Sequence, residues 1–589
     1  MQVILLTFAN SRIAPLATLS EEYAELNRRL SGRVLQQHFL AWSVDQVNTA
    51  DFGYYLTLFR DQLVMFSFSG HAGRDTLLLE DQHSRSAGVA HLLAQCPNLK
   101  VVLLNGCSTA GQVEALHAAD VPLVIATSAP VNDTCATQFS TRLFQALEAG
   151  TTIAEAFEQA IAQVLLAKDL KVFRDLGVAS KETDVTAPVW GIFPNPAKPG
   201  ALDWRLPSQA AKTKLPKDYT VNELLQSTLY DGLAATSPEI QALQVEGKNI
   251  YDNADAVNAA ILKNLPAPLS EHLRKLLVPS NPGRNDGLDI IGLPRLLQLA
   301  QTYQISMDFM VFVHLAQLWE LMMFQNNLAK LQPGDLEPIQ KFLTSGREER
   351  NQCDYFTLLY NLLQLIKIFG GTPYVPEFEQ LRMSFHTDDK IREACFFLEN
   401  IRRMSHNTVG VAMDDLCYRA EESLALIFSQ IGFLGHYKLA TVRNIDVLKY
   451  RSEKPQFRHL VVKWHGTMGL YEKEITPPSD MLMDNRSVVL IRNGATVQER
   501  FLNLTPFIID ENTFEAAPDT SLSRLFFLGW LEPGSVFYKY INDPEKEFMD
   551  IQSDDFYDKR SKSNKFAGAI AQLEIFMHQV LQTENSSAA

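Results

Sequence analysis

The sequence has little of what several functional classes require. Only 6 of its 589 residues are cysteine, and these are scattered without the spacing of a zinc site or a disulfide framework. No glycine-rich loop ends in Gly-Lys-Ser/Thr, so a nucleotide-binding P-loop is not predicted. Basic residues number 53 against 68 acidic ones, and the formal net charge of −15 argues against general affinity for nucleic acid. We therefore expect no metal and no cofactor.

Long apolar runs and internal repeats are also missing. No uninterrupted apolar stretch reaches the roughly 18–20 residues of a membrane helix, and the apolar start at Val3 has no basic lead, so neither membrane insertion nor a signal peptide is expected. No repeat with a period of about 20–50 residues is visible, which argues against a helical repeat array. Together with the few cysteines, these features predict a cytoplasmic protein.

Two short segments carry the strongest chemical signal. His71 follows the apolar run 63–68 in Phe-Ser-Gly-His-Ala-Gly, and Cys107 follows the apolar run 101–104 in Leu-Asn-Gly-Cys-Ser-Thr-Ala-Gly. Short runs that are apolar throughout and soon meet a glycine are typical of strands buried on both faces of a parallel sheet. Residues just past the carboxyl ends of such strands line the crevice of an α/β protein, so we expect His71 and Cys107 to meet there.

A cysteine and a histidine in one place favour nucleophilic chemistry. A free thiol titrates near pH 8.5, and a neighbouring imidazole raises its reactivity by accepting its proton. The flanking glycines let the backbone approach a substrate carbonyl, where exposed N–H groups can stabilise an oxyanion. Each residue alone has a structural alternative as a core side chain. The two corners together predict a catalytic dyad of His71 and Cys107.

Residues 1 to about 196 resemble a CHAT domain, a caspase-related cysteine peptidase fold that is also related to separases and gingipains. The segments that carry this resemblance are the opening strand 3–9, the His71 corner, the Cys107 corner, the segment 131–136 and the closing strand 189–193. The resemblance implies that Cys107 is the nucleophile and His71 its proton-transfer partner. It also implies an oxyanion hole made by the backbone N–H groups of Ala72, Gly73 and Cys107.

The region around the dyad departs from true caspases. The cysteine segment lacks Gln-Ala-Cys-x-Gly, so cleavage after aspartate is not expected. The loop 128–133 follows a predicted strand end beside Cys107, and through Asn132 and Asp133 it could line the substrate pocket. The alternative for Asp133 is a cap on the helix predicted over 133–148.

The chain is predicted to contain several domains. Alternating strand and helix patterns over 1–200 predict an α/β caspase-like (CHAT) domain with a mostly parallel sheet. The polar, Pro-bearing stretch 201–219 predicts a linker, and apolar residues at helical spacing over 220–435 predict an all-α regulatory region. Aromatic-rich strand patterns over 436–589, with a helix at 565–582, predict a β-rich α+β sensor or interaction module.

The predicted function is that of a cysteine endopeptidase that cleaves a specific partner protein. CHAT proteases with appended sensor regions are often bacterial antiviral effectors that cut a protein encoded nearby, sometimes a gasdermin-like pore former, and the resemblance implies that setting. An activating protein or small ligand would bind the C-terminal module. Two alternatives stay open: a catalytically silent caspase-like scaffold, and a ligand or nucleic-acid sensor whose proteolysis is secondary.

Overall fold

The structure is a computed structural model. It describes residues 1–10, 15–80, 83–166, 189–208, 215–248, 250, 253–279, 287–324, 331, 335–370, 373–403, 412–464, 466, 471–492, 501–514, 523–558 and 563–582. These residues form two compact units, the first reaching residue 208 and the second beginning at residue 215.

The first unit is built on a parallel sheet. Its strands are β1 (Val3–Ala9), β2 (Leu40–Val44), β3 (Leu63–Gly70), β4 (Thr76–Leu78), β5 (His83–Arg85), β6 (Val101–Asn105), β7 (Leu123–Thr127) and β8 (Trp190–Pro194). Six of them form one sheet in the order β2-β1-β3-β6-β7-β8, and β4 pairs with β5 in a separate hairpin. All pairs from β2 to β7 are parallel, whereas β8 is antiparallel to β7. The prediction of a mostly parallel sheet is confirmed.

Helices cover this sheet. They are α1 (Leu19–Leu35), α2 (Thr49–Leu58), α3 (Ser86–Leu93), α4 (Val113–Ala118), α5 (Asp133–Glu148) and α6 (Ile153–Leu165), with 3₁₀ turns at Thr109–Gln112 and Ala201–Asp203. The helix predicted over 133–148 is α5. It begins where it does because the Asn132 side chain accepts hydrogen bonds from the N–H groups of Thr134 and Cys135, at 2.9 and 3.2 Å. Apolar side chains of α1, α5 and α6 form one core with the sheet.

The second unit contains most of the helices. They are α7 (Glu223–Leu233), α8 (Pro238–Val245), α9 (Ala254–Asn264), α10 (Ala267–Leu277), α11 (Leu293–Phe324), α12 (Glu337–Thr344), α13 (Arg347–Asn351), α14 (Tyr355–Ile368), α15 (Phe378–Thr387), α16 (Asp389–Arg403), α17 (Met413–Ile431) and α18 (Ala567–Gln582). Helix α11 contacts α10, α14, α16 and α17. By length and composition its span Leu293–Met323 could cross a membrane, but 89% of the apolar window is buried within the unit, as in a core helix.

The β-rich part of this unit consists of antiparallel sheets. The strands are β9 (Tyr437–Leu448), β10 (Gln456–Trp464), β11 (Tyr471–Ile475), β12 (Ser487–Arg492), β13 (Phe501–Asn503), β14 (Ile508–Asp510), β15 (Leu525–Glu532), β16 (Ser535–Tyr540), β17 (Phe548–Asp550), β18 (Tyr557–Asp558) and β19 (Ser563–Asn564). Two larger sheets have the orders β11-β10-β9-β12-β13 and β14-β15-β16-β17. A helical middle and a β-rich C-terminal region agree with the sequence prediction.

The helical and β-rich regions share one core. The ring of Phe312 in α11 stacks on Phe507 with centroids 6.3 Å apart and lies 5.3 Å from the ring of Phe527 in β15. Trp319, two turns further along α11, lies 5.6 Å from Phe576 of α18. Since α11 buries side chains on the β side as well as the helical side, the change of pattern near residue 435 marks a change of secondary structure inside one compact unit.

Candidate active site

His71 and Cys107 lie at equivalent positions on neighbouring strands at the centre of the first sheet. Strands β3 and β6 are parallel, and Ser69 of β3 pairs with Asn105 of β6. Two residues beyond this pair the chains reach His71 and Cys107. The register therefore carries both side chains past the same edge of the sheet, as the sequence predicts.

Glycine lets the two corners approach each other closely. A Cβ atom at Gly106 would lie 2.6 Å from the Cβ of Ala72 and 2.8 Å from the carbonyl oxygen of Gly70. The corners touch again at Gly111, where a Cβ would lie 2.5 Å from the Arg74 carbonyl oxygen. No side chain fits at either position without displacing the backbone, so the sequence requirement for glycine is steric.

The cysteine corner is held by buried threonines and a strained residue. Ser108, directly after Cys107, has a φ of 56°, in the left-handed region that non-glycine residues seldom occupy. The Thr109 hydroxyl donates to the Leu104 carbonyl at 3.0 Å, and the Thr127 hydroxyl donates to the Gly106 carbonyl. These bonds turn the chain sharply after β6 and fix the point from which the thiol projects.

The Cys107 thiol is covered in this conformation. Its exposed fraction is 0%, and the sulfur accepts a hydrogen bond from the N–H of Val131 at 3.1 Å. The segment 128–132 that supplies this contact is itself held at Ser128, whose N–H donates to the Val189 carbonyl at 2.8 Å, and by the Ser108 N–H, which donates to the Ala129 carbonyl at 3.2 Å. In this conformation the sulfur is not accessible from outside the first unit.

The histidine corner continues into the β4–β5 hairpin. The Leu78 N–H donates to the His71 carbonyl at 3.0 Å, and the Gly73 N–H donates to the Thr76 carbonyl at 2.9 Å. Of the three predicted oxyanion donors, Gly73 is therefore engaged in the hairpin. The N–H of Ala72 makes no hydrogen bond within the described part of the chain, and its nitrogen lies beside Gly106, the residue before Cys107.

A buried carboxylate ties the two strands together beneath the dyad. Glu22 of α1 has an exposed fraction of 0%, and its Oε1 accepts hydrogen bonds from the Ser69 hydroxyl at 2.7 Å and from the Asn105 side-chain amide at 3.1 Å. The same amide group donates to the Ala136 carbonyl at 3.0 Å, and the Trp190 indole N–H donates to Asn105 Oδ1 at 3.2 Å. The Glu22 side chain thus holds Ser69 and Asn105, which lie two positions before His71 and Cys107.

The side chains predicted to line the pocket have structural contacts. Asn132 is the N-cap residue of α5. It lies one residue before Asp133, for which the sequence analysis gave the helix cap as an alternative role. The Asp133 carboxylate is buried and accepts a hydrogen bond from the Thr18 N–H at 2.9 Å. Neither side chain is presented to a substrate here, because the end of α5 that carries them packs against the start of α1.

Sequence reasoning passed over Glu22, and it included Val131 only as a member of the segment 131–136 and of the loop 128–133. A signal for the buried network was present, since Ser-Gly-His and Asn-Gly-Cys both place a polar residue two positions before the chemical one. No sequence pattern marks Val131, whose contribution is a backbone N–H. Among the residues that the structure describes, no cluster of three or more His, Cys, Asp or Glu side chains could hold a metal ion.

The comparison with known families agrees with this geometry. The CHAT domain model matches residues 59–204, a stretch that begins just before β3, ends after β8 and includes His71 and Cys107. Strands β1 and β2 and helix α1, with Glu22, precede the match but belong to the same unit. No curated protein matches the chain. The family is a protease-related one, and the chain therefore contains a CHAT domain over residues 59–204.

Proposed function

We propose that this protein is a cysteine endopeptidase in which Cys107 is the nucleophile and His71 the general acid and base. The observation that carries the proposal is the β3–β6 register, which sets both residues two steps past a paired Ser69 and Asn105 at one sheet edge. The caspase-like CHAT resemblance supports the same assignment. If Cys107 and His71 were only core residues, the chain would not need a glycine at position 106, where the two corners approach each other.

The reaction is acyl transfer. His71 accepts the thiol proton, and the sulfur of Cys107 attacks the scissile carbonyl carbon to form a tetrahedral oxyanion. The N–H groups of Ala72 and Cys107 stabilise the oxyanion, with Gly73 as a third donor only if the hairpin opens. Collapse breaks the C–N bond, and His71 gives its proton to the leaving amine. Water, deprotonated by His71, then hydrolyses the thioester and regenerates the thiol.

The covered thiol implies a resting state. Because Val131 donates to the sulfur and the segment 128–132 lies over it, activation moves this segment and opens the cleft. The partner, by the CHAT resemblance, is a dedicated protein substrate encoded nearby, such as a gasdermin-like pore former, cut in bacterial antiviral defence. The signal that releases the segment would be an activating protein or small ligand.

The resting state and the nucleophile are tested together by alkylation. Iodoacetamide at neutral pH reacts with thiolates, and burial raises the pKa of Cys96 and of Cys353 to about 11 and raises the pKa of Cys135, Cys395 and Cys417. We expect slow modification of Cys107 in the resting protein and fast modification once the substrate partner or infected-cell extract is added. Mass spectrometry locates the label, with Cys135→Ala as the matched variant.

Proteolysis itself is tested by comparing new protein N-termini in cells that express the wild type, Cys107→Ala or Cys135→Ala with the neighbouring gene products, before and after infection. New termini that appear with the wild type and Cys135→Ala but not with Cys107→Ala support the protease. Identical termini in all three cells after infection contradict it and favour the scaffold, which the covered Cys107 of this conformation would suit.

A further inference from the structure

A two-stranded hairpin projects from the five-stranded sheet of the second unit. Strand β9 pairs with β12 only through residues 437–442, whereas it pairs with β10 as far as Leu448. On its other side β10 pairs with β11 from Leu460 to Trp464, and nearer the tip it contacts only the loop after β11, as in the bridge between Phe457 and Ser479. At about 3.4 Å per residue, residues 444–448 carry the turn 449–455 about 17 Å beyond the end of β12.

Apolar side chains are exposed around this tip. Val447 has an exposed fraction of 60% and Tyr450 of 68%. Val447 pairs directly with the half-buried Phe457, so the two side chains share one face of the hairpin. Leu482, three residues beyond the bridge at Ser479, is exposed as well. Exposed apolar groups gathered at a projecting tip indicate a contact with something outside the chain.

The turn between the two strands is basic. Residues 444–460 contain four Lys or Arg residues and two acidic ones, in a chain whose net charge is −15. Arg451 and Lys454 are exposed and form no ion pair among the described residues. Lys449 donates to two carbonyl oxygens of the turn, so its charge stays at the tip. The fourth base pairs with one of the two acids inside the hairpin. The tip therefore attracts an anionic partner.

We propose that the hairpin 444–460 binds the surface of an anionic lipid bilayer. Val447 and Tyr450 enter the headgroup region, and Arg451 and Lys454 lie against anionic headgroups. Exposed aromatic and apolar side chains beside basic ones are the combination that binds a membrane interface, and such binding needs no membrane-spanning helix. The negative charge of the remaining chain does not prevent it, because charges are screened over about 8–10 Å at physiological salt and the tip projects farther than that. The proposal does not depend on the protease activity.

The shape of the tip favours a bilayer over a macromolecule. A stable protein interface covers about 800 Å² on each partner, which is more than the turn 449–455 offers, whereas lipids can close around a small convex tip. Nucleic acid would use the basic side chains and the ring of Tyr450, but it would leave Val447 and Leu482 exposed to water. A bilayer uses both the basic and the apolar groups of the tip.

The full-length protein is sedimented with vesicles of phosphatidylcholine alone or with about 30% phosphatidylserine, at about 0.1 M salt. We expect binding to the mixed vesicles only, with release when the salt is raised to about 0.5 M. Arg451→Glu and Tyr450→Ala should each weaken this binding at least about fivefold. The matched controls are Lys390→Glu, which makes the same charge change on α16, and Tyr557→Ala, at another exposed tyrosine. Both should bind like the wild type.

The four substituted residues are exposed, so these variants report on binding and not on folding. A short RNA duplex is titrated in parallel. Weaker vesicle binding in the two hairpin variants, with unchanged binding in the two controls, supports the proposal. It is overturned if the wild type does not bind the mixed vesicles, if it binds phosphatidylcholine alone equally well, or if both hairpin variants bind like the wild type. Binding of the duplex in place of the vesicles would assign the hairpin to nucleic acid and also overturn the proposal.

Discussion

Two buried charges in this protein differ in how they are satisfied. Glu22 in the first unit accepts hydrogen bonds from Ser69 and Asn105, so its desolvation is offset by groups of the same chain. Arg350 in the second unit is equally buried, but its guanidinium lies over the Phe342 ring at 3.4 Å and interacts with the Tyr355 hydroxyl and the Asp308 carboxylate. The comparison teaches that a buried carboxylate can be held by direct hydrogen bonds from two strands, whereas a buried guanidinium can be held by a ring face and by neighbouring polar groups.

The largest expected effect in this comparison is the loss of Glu22. Glu22→Ala leaves the Ser69 hydroxyl and one Asn105 contact unsatisfied in a buried site, and at about 1–3 kcal/mol for each group we expect the first unit to lose about 2–4 kcal/mol. Hydrogen exchange of the β3 and β6 amides measures this loss. Glu22→Gln keeps an acceptor at the same place and should cost far less. Equal protection in Glu22→Ala and the wild type would show that the network does not hold the strands.

The contact between the His71 corner and the Cys107 corner is tested by adding a methyl group at Gly106. Gly106→Ala places a Cβ atom 2.6 Å from Ala72 and 2.8 Å from the Gly70 carbonyl, so the two corners must separate, at a cost of about 2–3 kcal/mol. Proteolytic activity should fall at least tenfold with it. Gly88→Ala, in α3 with nothing within 4 Å of the new atom, is the matched control and should stabilise slightly. Wild-type activity in Gly106→Ala would remove the steric argument for the dyad.

Acid should act on the second unit through two buried histidines. Burial lowers the pKa of His272 to about 3 and that of His314 to about 4, while an unfolded histidine titrates near pH 6.5. The unfolded chain therefore binds more protons from pH 6.5 down to those values, and stability falls by about 1.4 kcal/mol per pH unit for each histidine.

Asp510, whose pKa burial raises to about 6, and Asp308, whose pKa burial also raises, oppose this as they become protonated. They are two acids against three histidines, because burial lowers the pKa of His459 as well. Urea midpoints measured from pH 7 to 5 should fall for the second unit, and His272→Gln should reduce the slope. A slope that His272→Gln leaves unchanged would assign the acid sensitivity to other groups.

The smallest effect concerns a helix start. Thr152 caps α6 and forms a capping box with Glu155, so Thr152→Ala should cost about 1 kcal/mol in the first unit and leave the stability of the second unit unchanged. A urea titration that follows the unfolding of each unit checks this. A change in the stability of the second unit would mean that the two units are coupled.

Local patterns predicted the elements of this protein better than their long-range contacts. Strand 3–9 and helix 133–148 have the predicted bounds because apolar runs and a cap are local features. Residues 109–118 form a 3₁₀ turn followed by α4 and not one continuous helix, and here Gly111 packs against the backbone of Arg74, which is distant in sequence. The position of His71 and Cys107 at one sheet edge could be predicted because each residue follows its own strand, while their catalytic role stays a prediction.

The remaining site residues depend on tertiary packing. Glu22 lies on an amphipathic helix, where a charge normally faces solvent, and only the packing of α1 on β3 and β6 buries it. The Val131 N–H has no side-chain signature at all.

The placement of α11 has a consequence for how this protein can be divided or recombined. Phe312 and Trp319 lie against Phe507 and Phe576, so a cut near residue 435 would expose aromatic surface on both pieces. The β-rich region is therefore not a cassette that could be exchanged between relatives or expressed alone as a receptor. A recombination that preserves folding would join the chain between residues 208 and 215 and transfer helices and sheets together.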